Sequence, residues 1–196
     1  MNVYDFDKTI FYPDSSVSFF LYCLKHYPAA VLPRSKDIVR TALLYARRAV
    51  NTKELKQVLF SFLRGLPEPE EAVRRFWDER FCGIGAWYLA RRREDDLIIS
   101  ASPEFLVREP AARLGVALLG TRMDIRSGAI EGENCHDEEK VRRFYAAYPD
   151  GKIEDFYSDS LSDAPLARIA QRAWIVKKEK LSPWPTDGAG RRKDRD

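Results

Sequence analysis

Residues 14–95 read as helix throughout, whereas the residues on either side alternate short apolar strands with helices. Strand–helix alternation builds a parallel α/β sheet, so this chain is expected to fold as such a sheet, interrupted after its first strand by a long all-helical insertion. The opening strand is the apolar run Asn2–Phe6, which carries Asp5 to its carboxyl end. After Pro13 the pattern turns helical. Ser15 and Ser16 can cap a helix carrying Val17, Phe20, Leu21 and Leu24, and further helices follow over about Ser35–Val50, Thr52–Leu63 and from Pro69 to about Phe81. Gly83 and Gly85 break the last of these before a helix that contains Arg91, Arg92 and Arg93.

The alternation resumes with the strand Leu97-Ile98-Ile99 after the Asp95-Asp96 turn. Ser102 and Pro103 fit the N-cap and first position of the next helix. Val116–Asp124 and Ala129–Glu131 read as strands about a turn at Arg126-Ser127-Gly128. Asp137 caps a helix over Glu138–Tyr148, and a strand Ile153–Tyr157, a helix Ala164–Gln171 and a last strand Ala173–Val176 complete the pattern. The division expected is therefore a core of residues 1–13 and 96–180, a helical insertion at 14–95, and a loosely ordered tail at 181–196.

A length of 196 residues suffices for one compact domain with a small accessory unit. With 33 basic against 30 acidic residues the net charge is only +3, too balanced for a nucleic-acid binder, which needs a pronounced basic face. The three cysteines, Cys23, Cys82 and Cys135, form no CxxC pair, which argues against a zinc site or a disulfide framework and for reduced, cytoplasmic thiols. Asp5, Asp7 and Lys8 interrupt any signal-peptide run. No stretch reaches the roughly 18 uncharged apolar residues of a membrane span. A soluble cytoplasmic protein is expected.

The chemistry-bearing residues cluster where strands end. In extended chain, Asp5 and Asp7 point the same way, so both carboxylates can face one site. Ligands of open α/β sheets bind at that edge, and a hard cation such as Mg²⁺ relieves the repulsion of two carboxylates. An Asp-x-Asp by itself fits a surface turn better. Asp159 and Asp163 follow the strand Ile153–Tyr157, and Asp163 fits a helix cap as well as a site. Ser100 ends a third strand, and the amides of Ala101 and Ser102 lead into a helix N-terminus, a ready anion site; a simple cap is the alternative. Lys140 falls in the first turn of its helix, where the macrodipole disfavours a cation by about 0.3–1 kcal/mol. Aim at a bound phosphate would explain it, and so would solvation beside Glu138 and Glu139.

In this order, Asp5-Phe6-Asp7-Lys8-Thr9, Ser100, Lys140 and Asp159-Ser160-Leu161-Ser162-Asp163 resemble the four motifs of the haloacid dehalogenase superfamily. The helical insertion is similar to that superfamily's C1 caps. Ile99-Ser100-Ala101-Ser102-Pro103-Glu104 and the segment Ser158–Leu166 look most like its phosphoserine-phosphatase-like subgroup, which also holds phosphatidylglycerophosphate and phosphocholine phosphatases. The resemblance implies a Rossmann-like parallel sheet sandwiched by helices and a Mg²⁺-dependent phosphatase for a small phosphorylated substrate. It gives Asp5 the role of nucleophile, through an aspartyl-phosphate, and Asp7 that of general acid and base. It implies that Asp5, the Asp7 backbone carbonyl, Asp159 and Asp163 hold the metal, and that Thr9, Ser100, Ala101 and Lys140 hold the phosphate. A phosphotransferase or mutase on the same core, and a non-catalytic phosphate- or partner-binding module, are the alternatives.

Lys8 stands where the family commonly has a small residue, and Ala101 and Ser102 replace the paired glycines of phosphoserine phosphatases, which puts a phosphoserine substrate in doubt. Asp14 stands nine positions after Asp5, where those phosphatases carry a glutamate that reads the substrate ammonium. With Ser15 and Ser16 it fits a cap of the first insertion helix slightly better. Arg34, Lys36, Arg40, Arg47 and Arg48 alternate with Leu43, Leu44 and Tyr45, a pattern that suits a solvated helix face better than contact with a membrane surface.

Overall fold

The computed structural model describes residues 1–185. Strand β1 (Val3–Tyr4) leads to helices α1 (Ser15–His26), α2 (Pro28–Val31), α3 (Ser35–Ala46), α4 (Thr52–Leu59), α5 (Pro69–Arg80) and α6 (Ala86–Leu89). Then come β2 (Leu97–Pro103), α7 (Glu104–Leu114), β3 (Ala117–Thr121), α8 (Glu138–Ala147), β4 (Ile153–Ser158), α9 (Ala164–Ile169), β5 (Ala170–Lys177) and β6 (Lys180–Pro183). The strands form one six-stranded sheet in the order β3-β2-β1-β4-β5-β6, parallel except for β6, which runs antiparallel to β5. This is the Rossmann-like α/β architecture expected, with β1 in the middle and every described element between β1 and β2 helical.

Period-two alternation explains the layers, because successive strand residues face opposite sides. Val3, Leu97, Ile99 and Phe156 point to one face, where Phe144 of α8 and Leu166 of α9 cover them. Tyr4, Ile98 and Tyr157 point to the other, where they join Leu106 and Val107 of α7 and a large aromatic set from the helical block. Tyr4 stacks on Tyr157 at 4.7 Å and meets Tyr88 of α6 edge-on at 4.9 Å. Trp77 of α5 packs on Phe11 at 4.9 Å and donates its indole N–H to the Leu106 carbonyl at 2.7 Å. The helical block and the sheet therefore share one buried cluster.

Several local expectations give way to tertiary packing. The strand β2 continues through Ser102 and Pro103, with Pro103 paired to Thr121 after a bulge, so α7 begins at Glu104 and Ser102 is no N-cap. The α1 cap is Asp14, whose carboxylate accepts the Val17 amide at 3.1 Å; Ser15 and Ser16 are buried in the first turn. The apolar face that α1 buries holds Phe19, Tyr22 and Cys23, leaving Val17 and Leu21 exposed. Helix α3 stops at Ala46, and Arg48 turns the chain with φ 59°. Asn51 and Glu54 form a capping box for α4, which tightens into a 3₁₀ turn after Leu59. Arg91, Arg92 and Arg93 follow α6 as an exposed turn, not a helix, tied by the Arg93 amide to Asp96 at 2.8 Å. Asp137 adopts φ 55° and its side chain makes no capping bond. The expected helix over Ala164–Gln171 ends at Ile169, because Ala170 pairs with Ile153 and starts β5. The tail expected from residue 181 contributes Leu181, Ser182 and Pro183 to β6, and residues 186–196 lie outside those described.

Candidate active site

The site is built on the turn that follows β1. Asp5 still belongs to the sheet, its amide donating to the Tyr157 carbonyl at 2.8 Å. The chain then folds back sharply. The Phe6 carbonyl accepts the amides of Ile10 and Phe11 at 2.9 and 3.0 Å, and Lys8 takes a positive φ of 59° at the apex. Phe6 is buried while Lys8 is exposed, 3.7 Å from the Asp14 carboxylate. A side chain anchored in the core thus holds Asp5 and Asp7 at the carboxyl edge of the sheet.

Lys140 ties the distant acidic segments together. Its side chain is buried, and its ammonium lies 2.7 Å from Asp5 and 2.9 Å from Asp163. Asp163 also accepts the Ser158 hydroxyl at 2.7 Å, so its carboxylate is fixed from two sides. The Asp159 amide donates to the Thr9 hydroxyl at 2.8 Å and so joins the end of β4 to the turn after β1. On the neighbouring strand the Ser100 hydroxyl accepts the Ser102 amide at 3.1 Å. Thr9 and Ser100 are buried, and each hydroxyl, already accepting a backbone N–H, keeps its own proton to donate.

Asp7 sits in a separate nest of donors. One of its oxygens accepts the Ser15 amide at 2.7 Å and the other accepts the Ser102 hydroxyl at 2.5 Å. Ser16 lies 3.1 Å from the same hydroxyl. From above, α4 extends Lys56, whose ammonium donates to the Ala101 carbonyl at 2.6 Å and to Asn134 at 2.8 Å. Thr121 donates to that same Ala101 carbonyl at 2.6 Å.

Burial dominates the electrostatics. It raises Asp7 to about 6, helped by the charge of Asp14 and opposed by the bonds from Ser102 and Ser15. It also raises Asp5, and the adjacent Lys140 ammonium pulls back. For Lys140, burial acts downward, but the carboxylates of Asp5 and Asp163 outweigh it and hold the ammonium charged. Lys56 meets only neutral oxygens, and burial lowers it to about 8 although Asp7 and Asp14 pull it upward. Asp159 is raised by burial, with Lys177 and Lys8 opposing.

The structure gathers Asp5, Lys140 and Asp163 by side-chain contact, and Thr9 with Asp159 through a backbone donor. Asp14 caps α1 with one oxygen and approaches Lys8 with the other. Sequence reasoning missed Ser102, which it assigned to a cap, and Lys56, which it did not single out. Neither carries a local signal: Ser102 precedes a proline as caps commonly do, and Lys56 is one of two lysines on an amphipathic helix.

Among the described residues, no three His, Cys, Asp or Glu side chains gather closely enough to hold a metal ion by themselves. A Mg²⁺ ion needs fewer, since it keeps several waters and binds through one or two carboxylates with the substrate phosphate. The second oxygen of Asp5 and the carboxylate of Asp159 have no hydrogen-bond donor among the described residues. Those two carboxylates fit that sparse demand, while Asp163 is already engaged by Lys140 and Ser158.

Comparison with known proteins agrees with this architecture. A haloacid dehalogenase-like hydrolase family model matches residues 3–168, and the chain belongs to that family. Among solved structures, it is similar to a protein of unknown function from Bordetella pertussis Tohama I, with TM-score 0.69 and 22% identity over 88% of this chain and 87% of that one. A phosphoserine phosphohydrolase-like protein from Francisella tularensis subsp. tularensis SCHU S4 superposes with TM-score 0.57 and 16% identity, covering 91% and 88% of the two chains. A phospho-aspartyl intermediate analogue of phosphoserine phosphatase superposes with TM-score 0.54 and 17% identity, over 87% and 83%. At these identities the likeness is one of fold. No curated protein matches the sequence.

Proposed function

We propose that this hydrolase is a Mg²⁺-dependent phosphatase of small phosphomonoesters, acting through an aspartyl-phosphate on Asp5. The observation that carries the reading is the buried Lys140, 2.7 Å from Asp5 and 2.9 Å from Asp163, which unites the two acidic segments in one site. In this reading Asp5 attacks phosphorus and Lys140, Thr9 and Ser100 donate to the phosphoryl oxygens, with the amide of Ala101 beside them. Asp7 protonates the leaving alcohol and later takes a proton from the attacking water. A carboxyl raised to about 6 suits both tasks near neutral pH. Ser102 and the Ser15 amide hold Asp7 apart from the Lys140 network. Asp5, Asp159 and the Asp7 backbone carbonyl would hold Mg²⁺, which would supply charge neutralisation for the phosphoryl group. Asp163 acts as the positioning partner of Lys140.

The helical block of residues 14–95 serves as the cap, over a core of residues 1–13 and 96–180, and shields the reaction from water. Support comes from Lys56, which crosses from α4 to the Ala101 carbonyl. Asp14 remains the residue of that block suited to read a cationic part of the leaving group. The deciding test is Asp5→Asn, assayed with a generic aryl phosphate and Mg²⁺. The expected result is loss of turnover with an unchanged circular dichroism spectrum and melting temperature. Retained hydrolysis in that variant would overturn the mechanism.

A further inference from the structure

Helix α3 is the outlying layer of the helical block. Its buried residue is Ile38, and it packs chiefly on α4 and on the turn at residues 32–34. Positions 36, 39, 40, 43 and 47 recur at three- and four-residue spacing, so they share the face turned away from Ile38. That face presents Val39 and Leu43, which are 59% and 55% exposed, beside Lys36, Arg40 and Arg47. Leu32, one turn earlier, is 57% exposed and extends the apolar line.

Two unrelated quantities concentrate in the same stretch. Six of the nine exposed large hydrophobic residues among those described fall between Val17 and Tyr45. Residues 15–50 also hold Lys25, Arg34, Lys36, Arg40, Arg47 and Arg48 against the single acid Asp37, a surplus of five charges in a chain whose net charge is +3. The rest of the protein is thus slightly acidic. Scattered exposed apolar residues are ordinary, but apolar and basic residues side by side on one outward helix face are the pattern of an interfacial helix.

We infer that α3 docks this protein onto an anionic lipid surface. Val39, Leu43 and Leu32 enter the headgroup–acyl boundary, and Lys36, Arg40 and Arg47 pair with lipid phosphates beside them. A second copy of the chain is the poorer occupant, since two such faces would bring like charges together. The contact is reversible and peripheral, because no described helix is long and apolar enough to cross a membrane. It does not depend on the catalytic reading.

The test is co-sedimentation of the full chain with vesicles of phosphatidylcholine alone and of phosphatidylcholine mixed equally with phosphatidylglycerol. Binding is expected only to the mixed vesicles, and it is released by high salt. The double variants Arg40→Glu/Arg47→Glu and Val39→Ser/Leu43→Ser should each weaken it at least about tenfold. Both should keep the wild-type circular dichroism spectrum and wild-type hydrolysis of a soluble aryl phosphate, since none of these side chains belongs to the site. Equal binding to neutral vesicles, no binding to anionic ones, or unaltered binding by both variants overturns the inference. So does a dimer in sedimentation velocity that Val39→Ser/Leu43→Ser dissolves, which would make the face a self-association surface.

Discussion

Two lysines bring opposite problems to this site. Lys140 is buried between two carboxylates and stays charged, a fixed part of the framework. Lys56 is held by neutral oxygens alone, and burial lowers it to about 8. A cation so placed is charged below that pH and neutral above it, and its attraction for an anionic ester is present only on the acid side. The Michaelis constant is therefore expected to rise as pH passes about 8, with kcat affected less. In Lys56→Arg this limb should vanish, because a guanidinium stays charged throughout the range. Measuring Michaelis constants between neutral and alkaline pH for both proteins checks it, and superimposable profiles would remove Lys56 from substrate binding. The contrast also explains what the sequence disclosed. Asp5 and Asp159 directly follow strands, Ser100 follows the apolar run Leu97-Ile98-Ile99 and Lys140 starts a helix, so local pattern marked them. Lys56 acquires its place only when α4 is laid over β2, and Ser102 only when β2 outruns its expected end.

The turn of the hairpin at residues 122–131 shows how elements join across the site. Met123 bridges Ile130, and Gly128 turns the chain at φ 72° directly against the Phe60 backbone of the helical block. A Cβ at Gly128 would meet the Phe60 carbonyl oxygen at 2.4 Å, so both the conformation and the space demand glycine. Gly128→Ala should cost about 1–3 kcal/mol from the backbone alone and loosen the helical block over the site. Urea denaturation would read the first effect, and a raised Michaelis constant the second; unchanged stability would show that the contact yields freely. The turn itself was legible as Arg126-Ser127-Gly128. Its target was not, since nothing local to Phe60 announces a partner in another part of the chain. Helix ends were misplaced for a related reason. Ala170 and Gln171 suit a helix, but Ala170 pairs with Ile153 and is taken into β5.

Among the described residues, sheet and helical block share one continuous buried cluster. Trp77 is the joint: it packs on Phe6 and Phe11 from the turn after β1, on Phe76 from its own helix, and donates to Leu106 of α7. Unfolding is expected to be a single transition, and Trp77→Ala should lower stability by about 3–5 kcal/mol. Denaturation followed by both circular dichroism and tryptophan fluorescence checks this, and separate transitions for the two probes in the wild-type chain would contradict it. The central place of β1 carries a different consequence. Its two residues align with Leu97 and Ile98 on one side and with Phe156 and Tyr157 on the other. The middle of the sheet is thus closed only when β4 joins β1, far along the chain. At synthesis rates of about 5–20 residues per second, roughly 8–30 s separate the emergence of Tyr4 from that of Tyr157. Throughout that interval the aromatic side of the helical block has no finished surface to settle on. Closing the sheet thus waits on β4, and a pairing so far apart along the chain is one that forms slowly.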